Sequence, residues 1–299
     1  MNEDLLKQKR KIGLSLGVFI IVTNLVGFLL SFIFQKMNLV SYENQYLMAY
    51  IINAISIYLI GYGIFKFILK NTNSVEKKEK KQLKVSEFLL LICITIGGAQ
   101  IANVVTQIIL TIFKLIFKVE INNNVTDLMQ QSSPILLVVF AALLGPIVEE
   151  LIFRGTLLKK LRVYGDKTAI IYTSVAFGLF HCNIAQIPFA IVCGLILGYA
   201  VVKTNNIIYS IILHIILNSM SVILVVLMSN ELWLPIVLIL LLIITCIVLT
   251  LVFVPIKLAN NKVKIDNESK YEKKNLYKNI GYIFSVASVI IVTVVEAII

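Results

Sequence analysis

Glu149, Glu150 and Arg154 stand within the stretch 145–155, GPIVEELIFRG, in an otherwise apolar run. The chain has two histidines, His181 and His214, and both lie in apolar runs. Asn218 follows His214 by four residues. These residue types suit one chemistry. Glutamate and histidine move protons in hydrolysis, and His or Asn N–H groups stabilise a developing oxyanion. A charged side chain at membrane depth costs about 2.5–3.5 kcal/mol on insertion scales. Three of them so close together need firm partners or a function.

Spacing divides the roles. Glu150 and Arg154 are four apart, so an intrahelical ion pair is expected. Glu149 points about 100° away from Glu150 on the same helix. Glu150 is thereby neutralised, and Glu149 is left as the candidate general base. His214 and Asn218 share one helix face, as do Phe177 and His181.

The elements that carry these residues must be membrane helices. The chain of 299 residues is 59% hydrophobic and 14% charged, with mean hydropathy +0.93. An ordinary soluble domain is about 25% charged. Several apolar runs exceed the roughly 18 residues that mark a spanning helix. In lipid every backbone polar group needs an internal partner, which helices supply. The alternation of an outer-membrane barrel is absent. The expected fold is therefore all-α, a polytopic transmembrane helical bundle.

About nine spans are expected: 12–34, 47–69, 88–117, one from 134 carrying the glutamates, one from 168 carrying His181, 187–202, 207–228 carrying His214, 232–256 and 280–299. With the N-terminus cytoplasmic, the inside segments become the N-terminal tail, 70–84, 159–167, 203–206 and 257–278, which hold nearly all the lysine and arginine. The reverse topology fails this positive-inside test. The net charge of +11 is thus a topology signal, and no nucleic-acid partner is expected. The four cysteines, Cys93, Cys182, Cys193 and Cys246, lie in or beside apolar runs without CxxC spacing and read as small core residues. No cleavable signal peptide is expected. The abundance of Ile, Lys and Asn suggests a bacterial plasma-membrane protein.

Depth unites the polar groups. At about 1.5 Å per residue, Glu149 lies roughly 15 Å from Lys159, His181 roughly 21 Å from Lys167, His214 roughly 16 Å from Lys203, and Asn218 roughly 22 Å. Residues on three helices then reach one band of depth, which implies one intramembrane site. Pro146 is expected to bend its helix just before Glu149. Gly178, Gly194 and Gly198 are expected at close helix contacts.

The motifs EExxxR (149–154), FxxxH (177–181) and HxxxN (214–218), in this order on successive membrane helices, resemble the CPBP family of CAAX prenyl protease type II and bacteriocin-processing enzymes, also called Abi proteins. The resemblance covers about 134–228. It divides the chain into 1–133 (three spans and a lysine-rich loop), a catalytic core 134–228, and 229–299 (two spans). It implies an intramembrane endopeptidase acting on a membrane-associated peptide or protein, either CAAX-like processing or leader-peptide maturation. By the family pattern Glu149 and His181 activate water, and His214 and Asn218 hold the oxyanion. Glu150 and Arg154 keep the geometry, and Phe177 supports.

Two versions stay open. Glu149, His181 and His214 make an acceptable zinc set with an open position. A metal-free glutamate mechanism fits the same residues, since HExxH is absent. The competing functions are a transporter using the cluster as a proton or ion relay, and a non-catalytic immunity protein. Absence of internal repeats argues against the transporter.

Overall fold

The computed structural model describes residues 3–75, 79–118, 124–259, 285–290 and 292. Among the described residues every regular element is helical. The chain forms two compact units, one of residues 1–74 with 270–299 and one of 75–269.

In the first unit α1 (Glu3–Lys36) and α2 (Gln45–Ile68) pack together. The rings of Phe19 and Phe65 meet at 5.5 Å. Near one end the Gln8 side chain exchanges two hydrogen bonds with the Asn73 backbone, at 3.3 and 3.1 Å.

The second unit holds α3 (Val85–Phe117), α4 (Asn124–Gln131), α5 (Pro134–Tyr164), α6 (Asp166–Phe180), α7 (Ile187–Thr204), α8 (Ile207–Ser229) and α9 (Trp233–Ala259). Lipid gives helices no hydrophobic drive to associate, so close packing must hold them. Helix α3 meets α7 and α8 through Leu91, Leu197, Ala200 and Leu213, and it meets α9 through Ile96, Ile243 and Cys246. Helices α6 and α7 meet through glycine. A Cβ on Gly194 would lie 2.8 Å from Ser174 Cα, a distance no real side chain tolerates. Gly178 is equally pressed, against Ile187 O and the Ile191 side chain. The close contacts expected at these glycines are present.

Among the described residues seven helices are long and apolar enough to cross a membrane: α1, α2, α3, α5, α7, α8 and α9. Nine were expected. The span expected from 168 is α6, of 15 residues. It reaches about 22 Å at 1.5 Å per residue, short of the roughly 30 Å hydrocarbon core. The span expected over 280–299 lies outside the described residues, apart from 285–290 and 292.

One end of the second unit is tied by polar contacts. Arg162 grips Asp166 through two hydrogen bonds, of 2.6 and 3.0 Å, and donates a third to Asn205 at 2.9 Å. Asn205 reaches Glu79 O, Lys81 N–H reaches Thr204 O, and Lys203 pairs with Glu87. Between α5 and α6 stands Gly165 alone, with φ 100°, a left-handed turn that favours glycine. Parts of three segments expected on one membrane face, 70–84, 159–167 and 203–206, meet here.

Candidate active site

The site begins in α5, whose backbone is unusual. Residues 137–144 and 151–158 take the wider i→i+5 hydrogen-bond pattern, with ordinary α-helix at 145–150 between them. Such wide turns are rare and concentrate at functional sites. Glu149 and Glu150 sit at the second junction. Ahead of them, Gly145 N–H bonds Phe140 O, five residues back. The next bond in that register would run from residue 146 to Ala141 O, but Pro146 has no N–H. The vacancy is filled from another helix, since Asn218 Nδ2 donates to Ala141 O at 3.0 Å.

Glu150 is fully buried, and its Oε1 accepts from Arg154 Nη1 at 2.8 Å. The expected intrahelical ion pair is formed. Arg154 is buried as well. Its Nη2 donates to Gly194 O at 3.3 Å, and its guanidinium lies 4.4 Å above the Phe177 ring. Both contacts need α7 and α6 close by, which the glycine packing provides. Burying an ion pair costs several kcal/mol per charge unless further hydrogen bonds and good geometry repay it. Here the guanidinium gains a carboxylate, a carbonyl and an aromatic face.

His214 enters from α8. Its Nδ1 lies 3.1 Å from the same Glu150 Oε1, and its Nε2 lies 3.8 Å from Glu149 Oε2. A hydrogen bond to a carboxylate requires the proton on Nδ1, so Nε2 is turned towards Glu149. The 3.8 Å gap exceeds a direct hydrogen bond. The two glutamates differ sharply in access: the Glu149 side chain is 21% exposed and that of Glu150 0%. One is sealed into the scaffold, and the other opens outward.

His181 stands just past the end of α6, with Nδ1 2.8 Å from Phe177 O. A proton on Nδ1 makes that bond and leaves Nε2 bare. Phe177 is the hub of these rings. Its edge contacts place His181 at 5.0 Å and His214 at 5.7 Å, both nearly perpendicular, and Phe153 lies at 5.1 Å.

The structure therefore joins Glu150, Arg154, His214, Phe177 and His181 through direct contacts, with Glu149 opposite His214. Among the described residues no hydrogen bond or ion pair links His181 to Glu149. The amide nitrogen of Asn218 is engaged on Ala141. No three His, Cys, Asp or Glu side chains among the described residues converge as a metal-ligand group. Glu149, His181 and His214 are not gathered into such a group here, while the Nδ1 bonds to Glu150 and Phe177 O leave the Nε2 atoms of both histidines free. The sequence did not mark the carbonyls of Ala141 and Gly194. Only the prolines and glycines nearby hinted that backbone there is exposed to side chains.

Residues 131–220 match the family model described as Rce1-like: type II CAAX prenyl endopeptidase Rce1-like. This segment is similar to that family. It contains every residue of the candidate site, from Ala141 to Asn218. With seven apolar helices of spanning length, the chain is a multi-pass membrane protein. No curated protein and no solved structure matches it.

Proposed function

We propose that this protein is an intramembrane endopeptidase that hydrolyses a peptide bond of a membrane-associated peptide or protein. One observation carries the reading. His214 spans two glutamates of the segment similar to the Rce1-like family, with Nδ1 on the buried Glu150 and Nε2 facing the accessible Glu149. This arrangement prepares one carboxylate and one imidazole nitrogen for proton transfer and holds the second carboxylate as their support.

In this mechanism Glu149 takes a proton from water as it attacks the scissile carbonyl. His181, with Nε2 bare, helps to orient that water. When the tetrahedral intermediate collapses the C–N bond breaks, and the proton taken by Glu149 passes through His214 Nε2 to the leaving nitrogen, the transient imidazolium being offset by Glu150. Asn218 Nδ2 carries two hydrogens and spends one on Ala141, so the other remains to donate to the oxyanion. Arg154 fixes Glu150, and Phe177 fixes the mutual orientation of Arg154 and both imidazoles. Every step uses only these side chains and water.

The substrate reading is CAAX-like processing or leader-peptide maturation, and the lipid bilayer is the site's surroundings. In this reading the N-terminus is cytoplasmic, supported by the positive-inside bias of the lysine-rich segments, and the membrane is a bacterial plasma membrane, supported by the abundance of Ile, Lys and Asn. Residues 134–228 form the catalytic core, flanked by 1–133 and 229–299.

The test is a comparison of peptides released from membranes with and without the purified protein, followed by Glu149→Gln. Cleavage should vanish in the variant. Undiminished cleavage by Glu149→Gln would end the mechanism, and loss of cleavage on chelation would support the zinc version. A flux across proteoliposomes that needs Glu149, with no peptide cut, would favour a transporter.

A further inference from the structure

Three residues of α8, Ser210, His214 and Asn218, are spaced by four and share one face towards α5. Asn218 donates to Ala141 O and His214 to Glu150 Oε1. Ser210 is the remaining member of the row, and it is fully buried. It stands one helical turn before His214 on the row that meets α5, and its hydrogen bond in the structure goes to Ile207 O at 2.9 Å.

Glu150 has an unmet need at that place. Its Oε1 accepts from both Arg154 and His214, whereas Oε2 is buried and takes no hydrogen bond. An unsatisfied carboxylate oxygen in a low-dielectric interior is costly, and a nearby hydroxyl that can rotate will be drawn to it. Ile207 O is a neutral acceptor in the first turn of α8. A hydrogen bond to an ionised acceptor is roughly twice as strong as one between neutral groups. Rotation of the hydroxyl from Ile207 O to Glu150 would exchange the weaker bond for the stronger one.

We propose that Ser210 is a positioning residue whose hydroxyl donates to Glu150 and holds the carboxylate with Oε1 towards His214. The consequence lies in the imidazole. With Glu150 clamped by Arg154 on one side and Ser210 on the other, His214 keeps its proton on Nδ1 and presents Nε2 to Glu149. Without Ser210 the carboxylate is free to turn, Oε2 competes for the imidazole and for Arg154, and the Nδ1–H tautomer loses its fixed partner. The effect on turnover rests on the endopeptidase reading; the effect on the tautomer does not.

The test uses the two-histidine composition of the chain. Full-length protein labelled with ¹⁵N at histidine, in lipid nanodiscs, gives two imidazole signal sets, and His181→Gln identifies that of His214. The wild type should show His214 as a single Nδ1–H tautomer. Ser210→Ala should shift its nitrogen signals towards an average of the two tautomers, and Ser210→Thr, which keeps the hydroxyl, should restore the wild-type shifts. Ser210→Cys, a weak donor, should fall between. Unchanged His214 signals in the Ala variant would overturn the proposal, as would a Thr variant that behaves like Ala. The thermal transition of each variant is recorded with the spectra. Should Ser210→Ala not fold, the Thr and Cys variants still decide: equal His214 signals in both overturn the proposal. Where a cleaved peptide is in hand, Ser210→Ala should lower kcat with KM unchanged. A wild type that cuts nothing, with the tautomer shift still seen in Ser210→Ala, leaves the positioning role intact and removes the protease reading.

Discussion

His214 sits mid-helix in a buried network that joins α5 to α8, whereas His181 is held at a helix end by a carbonyl of its own helix. The first imidazole shares a carboxylate oxygen with Arg154, at 3.1 Å against 2.8 Å. The second rests on Phe177 O at 2.8 Å, and Cys182, next to it, takes the left-handed backbone with φ 50°. The same residue type is thus used in two ways. His214 belongs to the scaffold as much as to the chemistry. His181 contributes almost nothing to the scaffold, so its presence at a helix tip beside the site is best explained by chemistry.

The largest effect should come from breaking the network that holds His214. Glu150→Ala strands the buried Arg154 guanidinium and removes the acceptor of His214. Removing one member of a buried ion pair costs about 3–5 kcal/mol. Thermal unfolding in detergent should show this as a large loss, while Glu149→Ala, at the exposed carboxylate, changes stability far less. Equal losses from the two substitutions would show that the Glu150 network is not what fastens α5 to α8.

The histidines themselves give a smaller and sharper contrast. His214→Ala removes a hydrogen bond to a charged group, worth about 1.5–3 kcal/mol, whereas His181→Ala removes a neutral one, worth about 0.5–1.5 kcal/mol. Stability should separate the two variants, and cleavage should not, because both should be inactive. A His181→Ala variant as destabilised as His214→Ala would remove the distinction between scaffold and tip.

Part of this was legible in the sequence. The four-residue spacing of Glu150 and Arg154 foretold their pair, because helix geometry alone brings such residues together. Helix rise led to the expectation that Glu149, His181, His214 and Asn218 share a depth; the structure brings His214 Nε2 to 3.8 Å from Glu149 Oε2 and links His181 to His214 through Phe177. Gly178 and Gly194 foretold the tight α6–α7 contact. What escaped depends on the rotation of each helix about its axis, which tertiary packing sets. Spacing places His214 and Asn218 on one face but does not say whether that face meets Glu149, Glu150 or bare backbone. The length of α6 escaped for a different reason. Apolar residues recur past His181 at Cys182, Ile184 and Ala185, and the short turn at 181–186, closed by Asn183 O on the N–H groups of Gln186 and Ile187, ends the helix at Phe180.

Asn218 tests the scaffold side of the comparison with the smallest effect. Pro146 was expected to bend α5; what the structure shows is a carbonyl deprived of its donor. Ala141 O lacks the N–H of residue 146, and Asn218 replaces it at 3.0 Å. Hydrogen bonds between membrane helices average about 0.6 kcal/mol and reach about 1.7 kcal/mol, so Asn218→Leu should cost an amount in that range. The cause can be isolated with Pro146→Ala, which returns an N–H to the position that Ala141 O lacks. In that background Asn218→Leu should cost markedly less, giving a non-zero coupling in a double-mutant cycle of unfolding free energies. If Asn218→Leu costs the same with proline or alanine at 146, the amide does not act through the orphaned carbonyl. Its contribution then lies outside the fastening of α5 to α8.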